Sequence, residues 1–164
     1  QRMALLQPRS GRMFLFAPVG VDEGWTVAQK VELAERGAML LRRMGIEPRI
    51  GMLSGGRRSD RGRHRSVDRT LDDAAEAAGM LRSMGFRAED KEILIEDAAR
   101  ECDVIIAPDG ISGNLIFRTL HFLGEGRAMG AVVLNIDRVF VDTSRAKTSY
   151  LDSIAMASAL AGGR

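Results

Sequence analysis

Apolar and polar positions follow two rhythms along this chain, and the changes of rhythm mark its elements. Residues 13–19 form a short apolar run that ends at Gly20 and predicts a strand. Thr26-Val-Ala-Gln29 has the spacing of a capping box, and Val27, Val31, Ala34, Ala38 and Leu41 then recur on one helical face. Gly45 stands where a left-handed cap ends that helix, and Pro48 follows. Residues 49–53 predict the next strand. A second helix, capped by Asp68 or Thr70, turns Leu71, Ala75, Ala78 and Leu81 inward and stops at Gly85. A weaker segment over residues 86–95 leads to a short helical turn near 95–101. Strand 103–107, helix 114–123, strand 131–134, an extended run over 139–145 and a last helix over 148–160 complete the series.

Strand and helix alternate throughout, and the helices have the length of crossover connections. The pattern predicts a three-layer α/β/α domain over residues 1–164 with a mainly parallel sheet, right-handed crossovers and no linker. Leu41-Arg-Arg-Met-Gly45 and Leu81-Arg-Ser-Met-Gly85 look alike, but both are helix ends and not a repeat. In such folds ligands bind where strands run into loops, because the sheet's carboxyl edge and the unpaired N–H groups of helix N-termini meet there.

Composition narrows the function without naming it. The 164 residues suffice for one sizeable core, built from small and aliphatic side chains since aromatics are only 5%. The single cysteine, Cys102, excludes an internal disulfide framework, fits a reducing cytoplasm, and stands before an apolar strand where a packed thiol is expected. No apolar run approaches the roughly 20 residues of a membrane span, and no signal peptide is visible, so the expected location is cytoplasmic. The chain starts at Gln1 and is expected to be the C-terminal portion of something longer. Formal net charge is only +2, which argues against a dedicated nucleic-acid partner.

Three loops carry candidate chemistry. Ser54-Gly-Gly-Arg-Arg58 opens a segment to Arg69 with three glycines and six arginines directly after a strand. Small residues let backbone N–H groups approach an anion and arginines supply forked donors, so Ser54, Gly55, Gly56, Arg57 and Arg58 are candidate ligand-binding residues. No Gly-Lys-Ser/Thr makes it a Walker loop, no aromatic interleaves to stack bases, and a solvated basic loop is the plainer alternative. Pro108-Asp-Gly-Ile-Ser-Gly-Asn114 is the second, with Asn114 as N-cap and Asp109, Ser112 and Gly113 around it, unless Asn114 only caps and Asp109 only shapes the turn. Asp142-Thr-Ser-Arg145 is the third, setting an acid, hydroxyls and a guanidinium side by side before the last helix, whether as a site or as a capped helix entry. A parallel sheet would bring all three to one edge. His64 and His121 lie far apart without neighbours at ligand spacing, so no metal site is expected, and His121 is expected to be packed or solvated within its helix.

Taken together, Gly45-Ile-Glu-Pro-Arg-Ile-Gly-Met-Leu-Ser54, Pro108-Asp-Gly-Ile-Ser-Gly-Asn114 and Val141-Asp-Thr-Ser-Arg145 resemble the phosphate acetyl/butyryltransferase family, in order and over nearly the whole chain. The match corresponds to that family's C-terminal half. The resemblance implies an isocitrate dehydrogenase-like fold, a homodimer, and acyl transfer between phosphate and the thiol of coenzyme A. It gives Ser144 the role of binding or orienting the thiol, Arg145 that of holding phosphate, and Asp152 that of the base. Asp152 stands eight residues after Ser144 where the family's aspartate stands seven after, and Phe122 occupies the place of a family arginine. Little phosphotransacetylase turnover is therefore expected.

The arginine-rich loop departs from the acyltransferases and, with Ala17-Pro-Val-Gly-Val-Asp-Glu-Gly24, looks like the archaeal MtxX group, or methanogenesis marker protein 4, whose members are labelled methyltransferases. The residues themselves hold no G-x-G-x-G loop for S-adenosylmethionine after a strand and no Asp-x-His-x-x-Gly cobalamin pattern. Three readings follow: an enzyme for an anionic phosphorylated or coenzyme A-like ligand, a methyltransferase or its subunit linked to methanogenesis, or a non-catalytic anion-binding scaffold. No cofactor is fixed beyond a coenzyme A-like ligand.

Overall fold

The computed structural model describes residues 1–143 and 149–162. Its centre is one sheet of seven strands: β1 (Arg2–Gln7), β2 (Phe14–Ala17), β3 (Arg49–Met52), β4 (Arg87–Asp90), β5 (Val104–Ile106), β6 (Arg127–Val133) and β7 (Val141–Asp142). They lie in the order β4-β3-β5-β2-β1-β6-β7. β4, β3, β5 and β2 pair in parallel, while β1 is antiparallel to both β2 and β6, and β7 is antiparallel to β6. Five strands thus point one way, as expected, and β1 and β7 point the other way. The exceptions have a simple cause. Only residues 8–13 connect β1 to β2, and 134–140 connect β6 to β7, whereas a parallel crossover needs a dozen residues or more. The sequence pattern had assigned no strand to residues 2–7.

Five helices cover the two faces: α1 (Val27–Arg43), α2 (Arg65–Ser83), α3 (Ile95–Glu101), α4 (Gly110–Arg118) and α5 (Leu151–Gly162). Strand alternation sorts the core. Leu15, Ala17, Val104 and Ile106 pack under α1 and α2 with Val31, Ala34, Ala38, Ala74, Ala78 and Leu81. Phe14, Phe16 and Ile105 face the other way, toward Ala98 of α3 and Ile116 and Phe117 of α4. Met156 of α5 packs with Met129 and Val132 of β6. Burial on both faces is what runs of Phe, Leu, Val and Ile without polar interruption require.

The helix boundaries show which local signals held. Thr26 caps α1 by accepting from Gln29 N–H, and Gln29 returns the bond to the Thr26 backbone, so the capping box is real. Gly45 and Gly85 both adopt positive φ (78° and 84°), and Ile46 and Phe86 each donate back to Leu41 and Leu81, which makes the two similar segments two copies of one helix stop. The second helix starts earlier than expected. His64, not Asp68 or Thr70, is its N-cap, accepting from Ser66 N–H, and Asp68 instead accepts from Gly62 N–H. Its inner stripe uses Ala74 in place of Ala75, which is exposed. α4 likewise begins at Gly110 with Asp109 as cap, ahead of Asn114.

One buried charge joins α1 to α2. Lys30 is 3% exposed and its Nζ lies 2.6 Å from Asp73 Oδ2. Truncating one partner leaves the other charge poorly solvated, whereas replacing both with apolar groups removes the problem. Lys30→Ala is expected to lower unfolding free energy by about 2–3 kcal/mol, with much of the loss recovered in Lys30→Met/Asp73→Leu. Denaturant unfolding of the three proteins checks this, and a double variant worse than the single one would contradict it.

Candidate functional site

The structure builds its candidate site where β1, β6 and β7 meet α4. Between α4 and the β6–β7 edge lies a cleft of about 140 Å³, lined by Arg2, Val19, Asn114, Phe117, His121, Ala128, Gly130, Ala131, Asp142 and Thr143. Its floor is a β-bulge. Leu5 pairs with Gly130 but Leu6 with Ala128, so β6 carries an extra residue, and Gly130 takes φ 132°. Bulges re-aim side chains, and are frequent beside sites for that reason. A Cβ on Gly130 would overlap Val141 Cγ1, so the floor stays open only with glycine.

The wall facing the bulge is α4, and two glycines set its position. A Cβ on Gly110 would overlap the carbonyl oxygen of Gly20, and one on Gly113 that of Pro18. The first turn of α4 therefore presses on the backbone of residues 18–23, after the cis Ala17–Pro18 bond. Asn114 locks the contact by donating Nδ2–H to the Val19 carbonyl at 2.7 Å. Ser112 N–H donates to Asp109 Oδ1 (2.8 Å) and Gly113 N–H to the Asp109 carbonyl (2.9 Å), so those two donors are engaged within the turn. Asn114 is thus a clamp in the second turn, and Asp109 is the cap.

Arg2 supplies the charge. Its Nε lies 3.3 Å from Glu23 Oε1, and its Nη1 lies 3.8 Å from Asp142 Oδ2. Asp142 Oδ1 also accepts from Thr143 N–H at 2.8 Å. His121 stands in a π-helical turn (Thr119–Leu123) that ends α4, its Nδ1 2.9 Å from the Gly126 carbonyl.

Of the residues named from the sequence, Asn114, Asp142 and Thr143 come together in this cleft, with Asp109, Ser112 and Gly113 in the turn beside it. Ser144 and Arg145 lie outside the described residues. Ser54, Gly55, Gly56, Arg57 and Arg58 do not line it, because β5, β2 and β1 intervene between β3 and β6. That loop satisfies itself. Ser54 is buried with Oγ donating to the Gly56 carbonyl, Gly55 N–H donates to Thr70 Oγ1, and Arg58 pairs with Asp90 and Glu92. Arg61 and Arg63 are matched by Asp72 and Asp60, and hydrogen bonds from Arg61 and from the Arg57 backbone, respectively, hold these carboxyls below the usual carboxylate range. β7 runs against β3 and β5, so strand direction does not deliver all three loops to one edge. Asp152, in the first turn of α5, accepts from Arg127 Nη2 at 2.8 Å and is not on the cleft wall.

Arg2 and His121 were missed. Neither belongs to a motif, and the only signal for the wall was the Gly-x-x-Gly spacing of Gly110 and Gly113. Elsewhere, a 690 Å³ groove beside Phe14, Ile95 and Leu120 is mainly apolar, and its Arg12 and Arg100 pair with Asp103 and Asp97. Burial pushes the Cys102 thiol up to about 11, which suits a packed residue and not a nucleophile. Among the described residues no group of three or more His, Cys, Asp or Glu is placed to hold a metal, and no helix is long and apolar enough to cross a membrane.

The fold is that of the phosphotransacetylases. A branched-chain phosphotransacylase from Enterococcus faecalis superposes with a TM-score of 0.74 at 17% identity, over 97% of this chain and 62% of that one. A 4-hydroxythreonine-4-phosphate dehydrogenase from Klebsiella pneumoniae gives 0.60 at 13% identity, over 98% and 54%. In sequence, the chain is 52% identical over 159 residues to the Methanosarcina mazei protein named "Putative methyltransferase mtx subunit X", covering 97% of this chain and 57% of that protein. A phosphate acetyltransferase of Corynebacterium glutamicum is 28% identical over 168 residues, covering 94% of this chain and 51% of that protein. The chain thus resembles the mtx subunit X proteins on a phosphate acyltransferase-like scaffold, and it spans just over half the length of the curated relatives it matches. No protein-family model matches it.

Because Gly113 sits against backbone, which cannot swing aside as a side chain can, Gly113→Ala is expected to push α4 off the 18–23 loop. The expected cost is about 2–4 kcal/mol, in the range of strong overpacking. Amide exchange at Val19 and Gly20 should rise with it, and unchanged exchange and stability would show that the contact yields freely.

Proposed function

We propose that the cleft between α4 and the β6–β7 edge binds the phosphate of a phosphorylated or coenzyme A-like small molecule, as part of an MtxX-type transferase. The observation that supports this most is placement. Arg2, Asn114 and Thr143 meet in a cleft on a phosphotransacetylase-like scaffold, and the chain leaves Thr143 directly into Ser144-Arg145. In this reading Arg145 holds the phosphate, Ser144 orients the reacting group, and the cytoplasmic protein works as a homodimer. The group transferred is an acyl group on the scaffold's likeness, or a methyl group on the printed name of its relatives. Asp152 serves as base only after releasing Arg127.

A second reading, a scaffold that binds its ligand without turnover, draws on Phe122. Its side chain is 45% exposed, and it carries the Arg118 guanidinium 5.1 Å above its ring instead of presenting a charge of its own. The family arginine that position 122 lacks belongs to the chemistry of the acyltransferases, so loss of phosphotransacetylase turnover and retention of anion binding are compatible.

Calorimetry on the full-length protein tests the site. Coenzyme A, acetyl phosphate and inorganic phosphate are expected to bind, rising salt to weaken them, and Arg145→Ala to cost about 1.5–3 kcal/mol of binding. Equal affinities for wild type and variant would reduce Arg145 to a helix cap. S-adenosylmethionine in the same series weighs the methyl-transfer reading. The dimer has its own support: α5 leaves Leu151 76% and Ile154 64% exposed on a helix with one charged residue. Light scattering is expected to give twice the chain mass, and a monomer at micromolar concentration would refute it.

A further inference from the structure

The cleft contains an imidazole that no sequence motif points to. His121 lines it, and the backbone there is arranged to aim that side chain. The last turn of α4 widens into a π-turn, with Gly124 N–H donating to the Thr119 carbonyl (2.9 Å) and Gly126 N–H to the Leu120 carbonyl (2.8 Å). Such widened turns recur at functional sites because they rotate one side chain out of the regular helical series. Two aromatic neighbours touch the ring, whose centroid lies 5.9 Å from that of Phe117 and 4.6 Å from that of Phe122.

The tautomer follows from the partner. A carbonyl oxygen only accepts, so the 2.9 Å contact to Gly126 fixes the proton of the neutral ring on Nδ1. Nε2 is then the basic nitrogen, and it has no hydrogen-bond partner among the described residues. Charge balance gives this nitrogen a task. Among the described residues, the charged groups near the ring are Arg2 from β1, Asp142 from β7 and Arg118 from α4. Arg2 is already matched by Glu23, and Asp142 adds a negative charge beside the same cleft, while Arg118 lies over the Phe122 ring. In the phosphate-binding reading Arg145 answers one charge of a dianion, and a second positive charge beside it answers the other.

We propose that His121 is an ionisable ligand-binding residue of the cleft: Nε2 takes up a proton as phosphate binds, keeps it, and donates a hydrogen bond through it to a phosphoryl oxygen. The ligand class is a phosphate in its dianionic form, whether free or at the end of a small phosphorylated molecule. This rests on the phosphate-binding reading above. The step is a proton transfer alone: an N–H bond forms at Nε2 as a solvent or buffer acid gives up its proton, and Nδ1–H···O=C anchoring keeps Nε2 pointed away from the backbone.

The protein supplies its own control. His64 caps α2 with Nδ1 as acceptor from Ser66 N–H, so its neutral ring carries the proton on Nε2, the opposite tautomer, and it stands within the arginine-rich segment. Imidazole ¹⁵N spectra of the full chain, with both rings assigned by His121→Gln and His64→Gln, should show the two opposite tautomers without ligand. Inorganic phosphate should shift the titration midpoint of His121 upward and leave that of His64 in place. Calorimetry in two buffers of different ionisation enthalpy should show proton uptake on phosphate binding that disappears in His121→Gln, with affinity roughly tenfold weaker near pH 6, as loss of one charge-assisted bond implies. Phosphate binding with no change at His121 would overturn this proposal and leave the phosphate site standing. Phosphate that moves only His64, or does not bind at all, would remove the site itself. The tautomer measurement uses the wild-type protein, so a His121→Gln chain that folds poorly does not shield the idea.

Discussion

Everything that shapes the cleft depends on one contact, the first turn of α4 against the carbonyls of residues 18–23. Gly110 and Gly113 let helix backbone touch loop backbone, and Asn114 fastens the two. That contact fixes where α4 stands above the sheet. It therefore fixes where Phe117 and His121, one and two turns further on, meet the bulge in β6. A larger residue at either glycine would move the wall as a unit, since a helix transmits displacement along its axis. The two glycines are thus structural residues whose effect is felt at the site.

Much of this architecture was legible in the chain. The capping box at Thr26 and Gln29, the glycine stops at Gly45 and Gly85, and the apolar runs 50–53 and 104–107 all act through local physics, within a few residues of the feature they specify. Where the pattern failed, the deciding partner was distant. Residues 2–7 form a central strand because residues 14–17 and 127–133 flank them, and nothing in Met-Ala-Leu-Leu announces that. The start of α2 is the exception, a local one: His64 caps it and Asp68 holds Gly62 N–H, a choice among neighbouring side chains that spacing does not rank.

The site divides the same way. Asn114, Asp142 and Thr143 stood out because they end strands or open helices, and they do share a cleft. The arginine-rich segment stood out for its composition and its place after a strand, and the fold sets it apart from this cleft: neighbouring carboxylates at 60, 72, 90 and 92 answer several of its guanidinium groups. Arg2 gained its place from a strand pairing and His121 from a π-turn. Neither is visible until the backbone is traced.

The seam between β1 and β6 carries a consequence for how the protein comes to be. Arg2 pairs with Val133, residues 131 positions apart, while β2 to β5 and their helices assemble from much nearer segments. Closing so long a loop costs entropy before any contact repays it, so the seam joins late. During synthesis the α1–α2 half can be complete while β6 is still being made. The cleft, which straddles that seam, then forms after the α1–α2 half, and a chain interrupted before residue 127 would keep much of its core and lose the pocket entirely.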